Sequence, residues 1–346
     1  MKKLAAIVLA LMMAFSLAAC GQQNTETPAP DPAGPTGTTN EPAPAAEPYE
    51  IAVVVKVVGI DYFSVFEEGV KKFAADHGVN AYVVGPSSAD AAEQVNIIED
   101  LIHSGVDAIC VVPNDATVLE NVLQSAKDKG IVVVTTESPG QVGADFDVEM
   151  IINNAFAELI AEDAAQSCGG KGQYALYVGG LTVPLHNAWA DRVESYLAEK
   201  YPEMTLCTDR IACGEDAALA RETTLDLLKT YTDLNCFICF GSQGPIGAAE
   251  ALTEQDLIGK VVVVGNIIPS EGASYLEAGA ITTGYLWNPA DSGYACCYIA
   301  QVLLNGETVD AGFRIPGMGE GELDGTTLWI DQPIAIKADN WESFGF

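Results

Sequence analysis

Short runs rich in valine and isoleucine, at residues 51–58, 79–84, 108–112 and 131–135, recur at near-regular steps with amphipathic helical patterns between them. That alternation is the spacing of βαβ units, because a parallel strand needs a crossover of a dozen or more residues before its neighbour. The runs are apolar on both faces, as parallel strands covered by helices above and below must be. Phe63, Phe66, Val70 and Phe73 fall at helical intervals, and the next helix opens with Asp90 three residues before Glu93, a capping pattern ahead of Val95, Ile98 and Leu101. After Glu137-Ser138-Pro139-Gly140 a long helix is expected over 148–167, followed by strand candidates at 174–178, 204–208, 236–240, 261–264 and 281–285. Residues 49–346 are long enough for one core to divide in two. Two sets of βα units across a Pro-Gly break suggest two sheets, although the periodicity alone also permits one long sheet.

The first 48 residues read differently. Lys2 and Lys3 precede an apolar run over 4–17 that falls short of the about 20 residues of a membrane span and has the flanks of an export signal. The run ends in Leu17-Ala18-Ala19-Cys20, which resembles the lipobox of bacterial lipoproteins. That resemblance implies a signal peptide over 1–19, lipidation of Cys20, and an anchor on the outer face of the cell membrane or on the periplasmic membrane face. Residues 21–48 hold seven prolines and no aliphatic side chain larger than alanine, so 20–48 is expected to be a lipidated, unfolded tether.

Loss of Lys2 and Lys3 would take the net charge from −32 to −34, which argues against nucleic acid or an anionic bilayer surface as partner. A neutral or cationic ligand fits better, although simple solubility accounts for most of such a charge. Eight cysteines remain after Cys20. Cys110, Cys236 and Cys239 lie inside apolar strand-like runs and Cys296 and Cys297 are adjacent on a helix, so they read as small buried hydrophobes rather than a disulfide framework.

From Ile51 to Phe346 the chain resembles the periplasmic sugar-binding family of the ribose type, in its rhamnose-binding and autoinducer-2-binding branch. The resemblance is carried by Lys56-Val57-Val58-Gly59-Ile60-Asp61-Tyr62-Phe63, Gly105-Val106-Asp107-Ala108-Ile109, Val112-Pro113-Asn114-Asp115, Asn187-Ala188-Trp189 and Leu286-Trp287-Asn288. It implies an α/β fold of two Rossmann-like lobes, the type I periplasmic binding protein architecture, with a ligand cleft between them. Three crossing segments are then expected near 137–142, 285–289 and 313–328. The first lobe would comprise 49–138 plus 288–314, and the second 139–287 plus 315–346. The resemblance further implies a monomer that serves the permease of an ABC importer, with no metal or cofactor and no catalysis.

Open parallel sheets bind ligands at the carboxyl ends of their strands. Those ends nominate Lys56, Tyr62, Phe63, Asn114 and Glu137 from the first lobe, His186, Asn187, Ser242, Gln243 and Asn266 from the second, and Trp287 and Asn288 at a crossing. Aromatic faces beside groups that both donate and accept hydrogen bonds suit a sugar. Lys56 interrupts an apolar strand, so its ammonium is expected to meet a carboxylate or a ligand oxygen. One of Tyr62 and Phe63 is expected to face the core and the other the cleft. Trp287 also fits core packing, Glu137 an ordinary turn, and Asn187 a helix cap.

Against the autoinducer-2 receptors, the first-strand lysine is matched by Lys56, but their aspartate after the fourth strand is Glu137. Leu185 and His186 stand for a later aspartate and glutamine, and Phe240 and Ser242 for a proline and an alanine. A carboxylate replaced by leucine removes a charged hydrogen bond of roughly 1.5–3 kcal/mol, so a pentose or deoxyhexose is the expected ligand. A sensory receptor for an autoinducer-2-type signal would have the same fold. An anchored enzyme fits poorly: Gly241-x-x-Gly244-x-x-Gly247 lacks dinucleotide spacing, and His77, His103 and His186 are scattered. The leader occupies the place where a DNA-binding regulator of this fold would carry a helix-turn-helix.

Overall fold

A computed structural model describes residues 48–346. The expected signal peptide, the lipidated Cys20 and all of the tether except residue 48 lie outside the described residues. The chain first builds β1 (Glu50–Val54), α1 (Asp61–His77), β2 (Asn80–Val84), α2 (Ala91–Ser104), β3 (Ala108–Val111), α3 (Ala116–Asp128), β4 (Val132–Thr135) and β5 (Phe146–Glu149). It continues through α4 (Asn153–Ser167), β6 (Gly172–Val178), α5 (Pro184–Lys200), β7 (Met204–Leu206), β8 (Ile211–Ala212), α6 (Ala217–Thr230), β9 (Leu234–Cys239), α7 (Gly244–Glu254), β10 (Val262–Asn266), α8 (Pro269–Ala278) and β11 (Thr283–Leu286). It closes with α9 (Pro289–Leu304), β12 (Arg314–Ile315), β13 (Gly319–Glu320), β14 (Glu322–Asp324), β15 (Thr327–Trp329) and β16 (Ile334–Ile336).

Two large sheets form, besides a small antiparallel pair of β12 and β13. The first runs β14-β15-β5-β4-β3-β1-β2 and is parallel except for the β14–β15 hairpin. The second runs β16-β11-β10-β9-β6-β7, with β8 also pairing to β6, and only β16 is antiparallel. In each, the strand order reverses beside its first strand, between β1 and β3 and between β6 and β9. Such reversals open a crevice at the carboxyl edge of a doubly wound sheet.

The chain passes between the sheets at 150–152, 287–288 and 330–333. The second passage coincides with the expected crossing; the first and third lie later. The lobe limits expected at 138/139 and 314/315 therefore cut through the first sheet, which includes β5, β14 and β15. The physical reason is local. Asp147 and Glu149 point into the core of β5, so this strand lacks an apolar run, and the helix expected from 148 begins only at Asn153.

α1 buries Tyr62, Phe63, Phe66, Val70 and Phe73. Its partner is α9, which returns from the second lobe to lie on it. The two backbones touch: a Cβ on Gly69 would stand 1.8 Å from the Ala290 carbonyl oxygen, and one on Gly293 2.3 Å from that of Phe66. Trp287 enters α9 at this contact. Cys110, Cys236, Cys239, Cys296 and Cys297 are buried and unpaired, as small hydrophobes.

Candidate functional site

The carboxyl edges of both sheets face a cavity of about 20 Å³, lined by Lys56, Tyr62, Phe63, Glu137, His186, Trp189, Glu215, Gly241, Ser242, Asn266, Leu286 and Trp287. That is room for about one water molecule, far below the roughly 300–1,000 Å³ of ligand cavities, so the cleft in this arrangement is narrower than one that holds a ligand.

On the first lobe, Lys56 lies two residues beyond β1 and is 2% exposed. Its Nζ donates to Glu137 Oε2 at 2.5 Å, and the Tyr62 hydroxyl donates to Glu137 Oε1 at 2.8 Å. Both oxygens of Glu137 are thus engaged. Burial, then the charge of Glu137, pushes the Tyr62 phenol well above its usual range, so it remains a donor. Glu137 has φ 59°, a left-handed conformation that costs a non-glycine residue on the order of 1–3 kcal/mol. The ordinary-turn reading of Glu137 does not account for that strain; the two side-chain contacts hold it. Gln94, fully buried, donates to the carbonyls of Val55 and Val112 and accepts from Asn114 N, fastening together the segments that follow β1 and β3.

Second-lobe groups form the opposite wall. His186 Nδ1 accepts from Gly179 N at 3.0 Å, which leaves Nε2 carrying the proton. Burial, with Lys56 adding to it, holds this imidazole well below its usual pKa, hence neutral. The Asn266 side chain is spent on structure, accepting from Gly241 N and donating to the Tyr285 carbonyl. Ser242 Oγ is buried and has no partner among the described residues. Trp287 meets Tyr62 edge-on with centroids 6.1 Å apart and Trp189 at 5.9 Å, while Trp189 stacks on His186 at 5.6 Å. Each indole N–H is used: Trp287 Nε1 donates to Ser292 Oγ and Trp189 Nε1 to Asn153 Oδ1. The rings therefore offer fixed apolar faces. Among the described residues, one hydrogen bond crosses the cleft directly, from Thr182 Oγ1 to the Asn114 carbonyl at 3.3 Å.

Eight expected site residues share this cavity: Lys56, Tyr62, Phe63, Glu137, His186, Ser242, Asn266 and Trp287. Tyr62 and Phe63 both line it instead of dividing between core and cleft, because they occupy the first turn of α1, where that helix starts at the sheet edge. Asn114, Asn187, Gln243 and Asn288 are not in the wall. Asn114 Nδ2 donates to the Lys56 carbonyl, Asn187 Nδ2 to those of Gly180 and Val183, and Gln243 Nε2 to Glu271, while Asn288 Oδ1 caps α9 at Ala290 N. These four shape the loops that carry the wall.

Trp189, Glu215, Gly241 and Leu286 were not expected in the wall. Trp189 lies in a motif that carries the family resemblance, and Glu215 follows β8, a two-residue strand with no sequence signature. The glycine series after β9 serves packing: a Cβ on Gly247 would stand 2.2 Å from the Ala217 carbonyl oxygen, so it admits α6 against α7.

Next to Glu137, β5 carries Asp147 and Glu149, both at most 2% exposed. Asp147 Oδ1 accepts from Thr135 Oγ1 at 2.7 Å, but Asp147 Oδ2 and Glu149 Oε1 have no donor among the described residues. Burial, reinforced by the charge of Glu137, pushes Asp147 up to about 7; burial, then the charge of Asp147, pushes Glu149 well above the carboxylate range. Two adjacent buried acceptors without donors require a proton between them.

Residues 51–308 match the family described as "Periplasmic binding protein domain". The ribose import binding protein of Bacillus subtilis is 23% identical over 317 residues, covering 91% of this chain and 98% of that protein. The xylitol-binding protein of Mycolicibacterium smegmatis is 24% identical over 75% of this chain and 74% of its own length. Among solved structures, an ABC transporter solute-binding protein of Clostridium phytofermentas with bound L-rhamnose superposes with a TM-score of 0.81 at 25% identity, covering 86% of this chain and 98% of that one. LsrB of Clostridium saccharobutylicum in complex with AI-2 gives 0.80 at 23% identity, covering 86% and 100%.

Proposed function

The chain belongs to the periplasmic binding protein domain family, and we propose that it captures a monosaccharide, a pentose or a deoxyhexose, by closing its two lobes and delivers it to an ABC permease. The observation that carries this reading is a small cavity whose aromatic faces and polar groups come from both sheet edges. Sugar C–H faces pack on Tyr62, Phe63, Trp189 and Trp287, while the remaining N–H donors of Lys56, Nε2–H of His186 and Ser242 Oγ meet hydroxyls. A ligand that touches both walls favours the closed arrangement, because the open one offers it only half of those contacts. The protein binds and releases its ligand unchanged. In this reading it is a monomer tethered through Cys20 and residues 20–48 to the outer membrane face, within reach of the permease. The relatives that carry ribose or xylitol in their names, and the L-rhamnose complex among the structural neighbours, support this ligand class.

Thermal unfolding with D-ribose, D-xylose, D-arabinose, L-rhamnose and autoinducer-2 tests it. A ligand at 100 times its dissociation constant adds about 2.7 kcal/mol of stability. The reading expects one of the four sugars to raise the melting temperature; a shift with autoinducer-2 alone, or with none of the five, contradicts it.

A further inference from the structure

We infer that Glu215 is a specificity-determining residue of the cavity, its carboxylate accepting hydrogen bonds from two hydroxyls on adjacent carbons of the bound sugar. The inference rests on the sugar-binding reading above.

The first support is an accounting of charge. Glu137 has one oxygen on Lys56 and the other on Tyr62, so the buried ammonium is already matched. Glu215 is the second carboxylate in the wall, and it accepts no hydrogen bond from the described residues. A half-buried acceptor facing the cleft loses water when a ligand fills it, without replacement unless that ligand supplies donors. The desolvation raises its pKa, with Lys56 opposing the rise.

The second support is that the fold makes room for this side chain. A Cβ on Gly179 would stand 2.9 Å from Glu215 Oε1, 2.9 Å from Glu215 Cγ and 2.9 Å from His186 Nδ1, so only glycine after β6 lets the two side chains sit together. The preceding residue, Gly214, is fastened on both sides: its N–H donates to the Val178 carbonyl at 2.8 Å, and its own carbonyl accepts from Gln243 N and Gly244 N at 3.0 Å. Asp216, immediately after, caps α6 through Leu219 N at 3.0 Å. Glu215 is therefore held by the Gly214 backbone on one side and the Asp216 side-chain cap on the other, while its carboxylate is left free. A preorganised carboxylate with two free oxygens matches a pair of neighbouring O–H donors, in the bidentate manner in which carboxylates accept paired donors elsewhere. The neutral Nε2–H of His186 beside it is a donor, so an acceptor oxygen on the same ligand face is served as well.

The test is titration calorimetry of the full mature chain and its Glu215→Gln and Glu215→Ala variants with D-ribose, D-xylose, D-arabinose and L-rhamnose, alongside the unliganded melting temperature of each. The expected result is that both variants weaken the sugar bound by the wild type at least tenfold, as loss of a charged hydrogen-bond acceptor does. Their unliganded melting temperatures stay equal or rise, because a half-buried carboxylate without a hydrogen-bond donor has been removed. Binding within twofold of the wild type overturns the inference, as does a loss of affinity matched by a fall in the unliganded melting temperature, which marks a structural role. Failure of the wild type itself to bind any of the four sugars sinks the underlying reading and this inference together.

Discussion

Lys56 Nζ stands 2.5 Å from Glu137 Oε2 although 81 positions separate them, and both side chains are almost wholly buried. The pair joins the loop after β1 to the loop after β4, across the intervening β3, and so fixes the first-lobe edge of the cavity. A buried pair contributes little net stability against an apolar replacement, but breaking one member is costly. Lys56→Met and Glu137→Gln should each lower unfolding free energy, Lys56→Met by about 3–5 kcal/mol because it strands a buried carboxylate. The double variant should be less destabilised than the sum of the two. Chemical denaturation of all three measures the coupling; strict additivity would mean the side chains act independently.

The Asp147–Glu149 pair predicts a pH dependence whose sign is fixed. Both carboxyls are raised in the folded chain, Asp147 to about 7. The folded state therefore holds protons on both that the unfolded state releases in the ordinary carboxylate range. Stability is full below the ordinary carboxylate range, falls as pH rises toward about 7, and goes on falling less steeply beyond it while Glu149 keeps its proton. Denaturant midpoints at about pH 5 and about pH 8 should show the loss, and Asp147→Asn should reduce it. A wild-type difference that Asp147→Asn leaves unchanged would place its origin elsewhere.

Gly69 and Gly293 let the backbones of α1 and α9 touch. Overpacking costs about 1–3 kcal/mol where side chains can yield, and here the obstacle is backbone. Gly69→Ala and Gly293→Ala should each reach at least the top of that range, and each should weaken ligand binding because Trp287 leads directly into α9. Calorimetric melting of both variants checks this; melting temperatures within a degree or two of the wild type would contradict the contact.

Trp287 closes the cavity with a ring whose N–H is already committed to Ser292. Trp287→Phe keeps an apolar face but loses ring area and that bond. Affinity for the bound sugar should fall about tenfold or more, a ring edge and a packing contact being worth about 1.5 kcal/mol together. Titration calorimetry measures it, and unchanged affinity would assign Trp287 to core packing alone.

Much of this architecture is legible before any coordinates, and for a definable reason. Parallel strands covered on both faces must be apolar throughout, so β1, β3 and β9 announce themselves, and Asp90 caps α2 through Ala92 N and Glu93 N. Lys56 was conspicuous as a charge in such a run. β5 was not legible, because its two buried acids make a core strand look like the start of a helix. β14 to β16 are three residues each, too short for any periodicity to register. In the cavity, strand ends nominated residues that line it, among them Glu137 and Ser242. Asn187, Gln243 and Asn288, nominated the same way, lie outside the wall, their amides and carbonyls bonded to neighbouring loops and helix ends. Glu215 was hidden because its reach depends on Gly179, thirty-six residues earlier, having no side chain.

A crystal structure of the protein with the sugar it binds most tightly tests the central claim most directly. The account predicts the sugar in the cavity between the sheets, its ring against Trp287 and Trp189 and its hydroxyls reaching both Lys56 of the first lobe and Glu215 or Ser242 of the second. A sugar seated on one lobe alone, or outside that cavity, would contradict it.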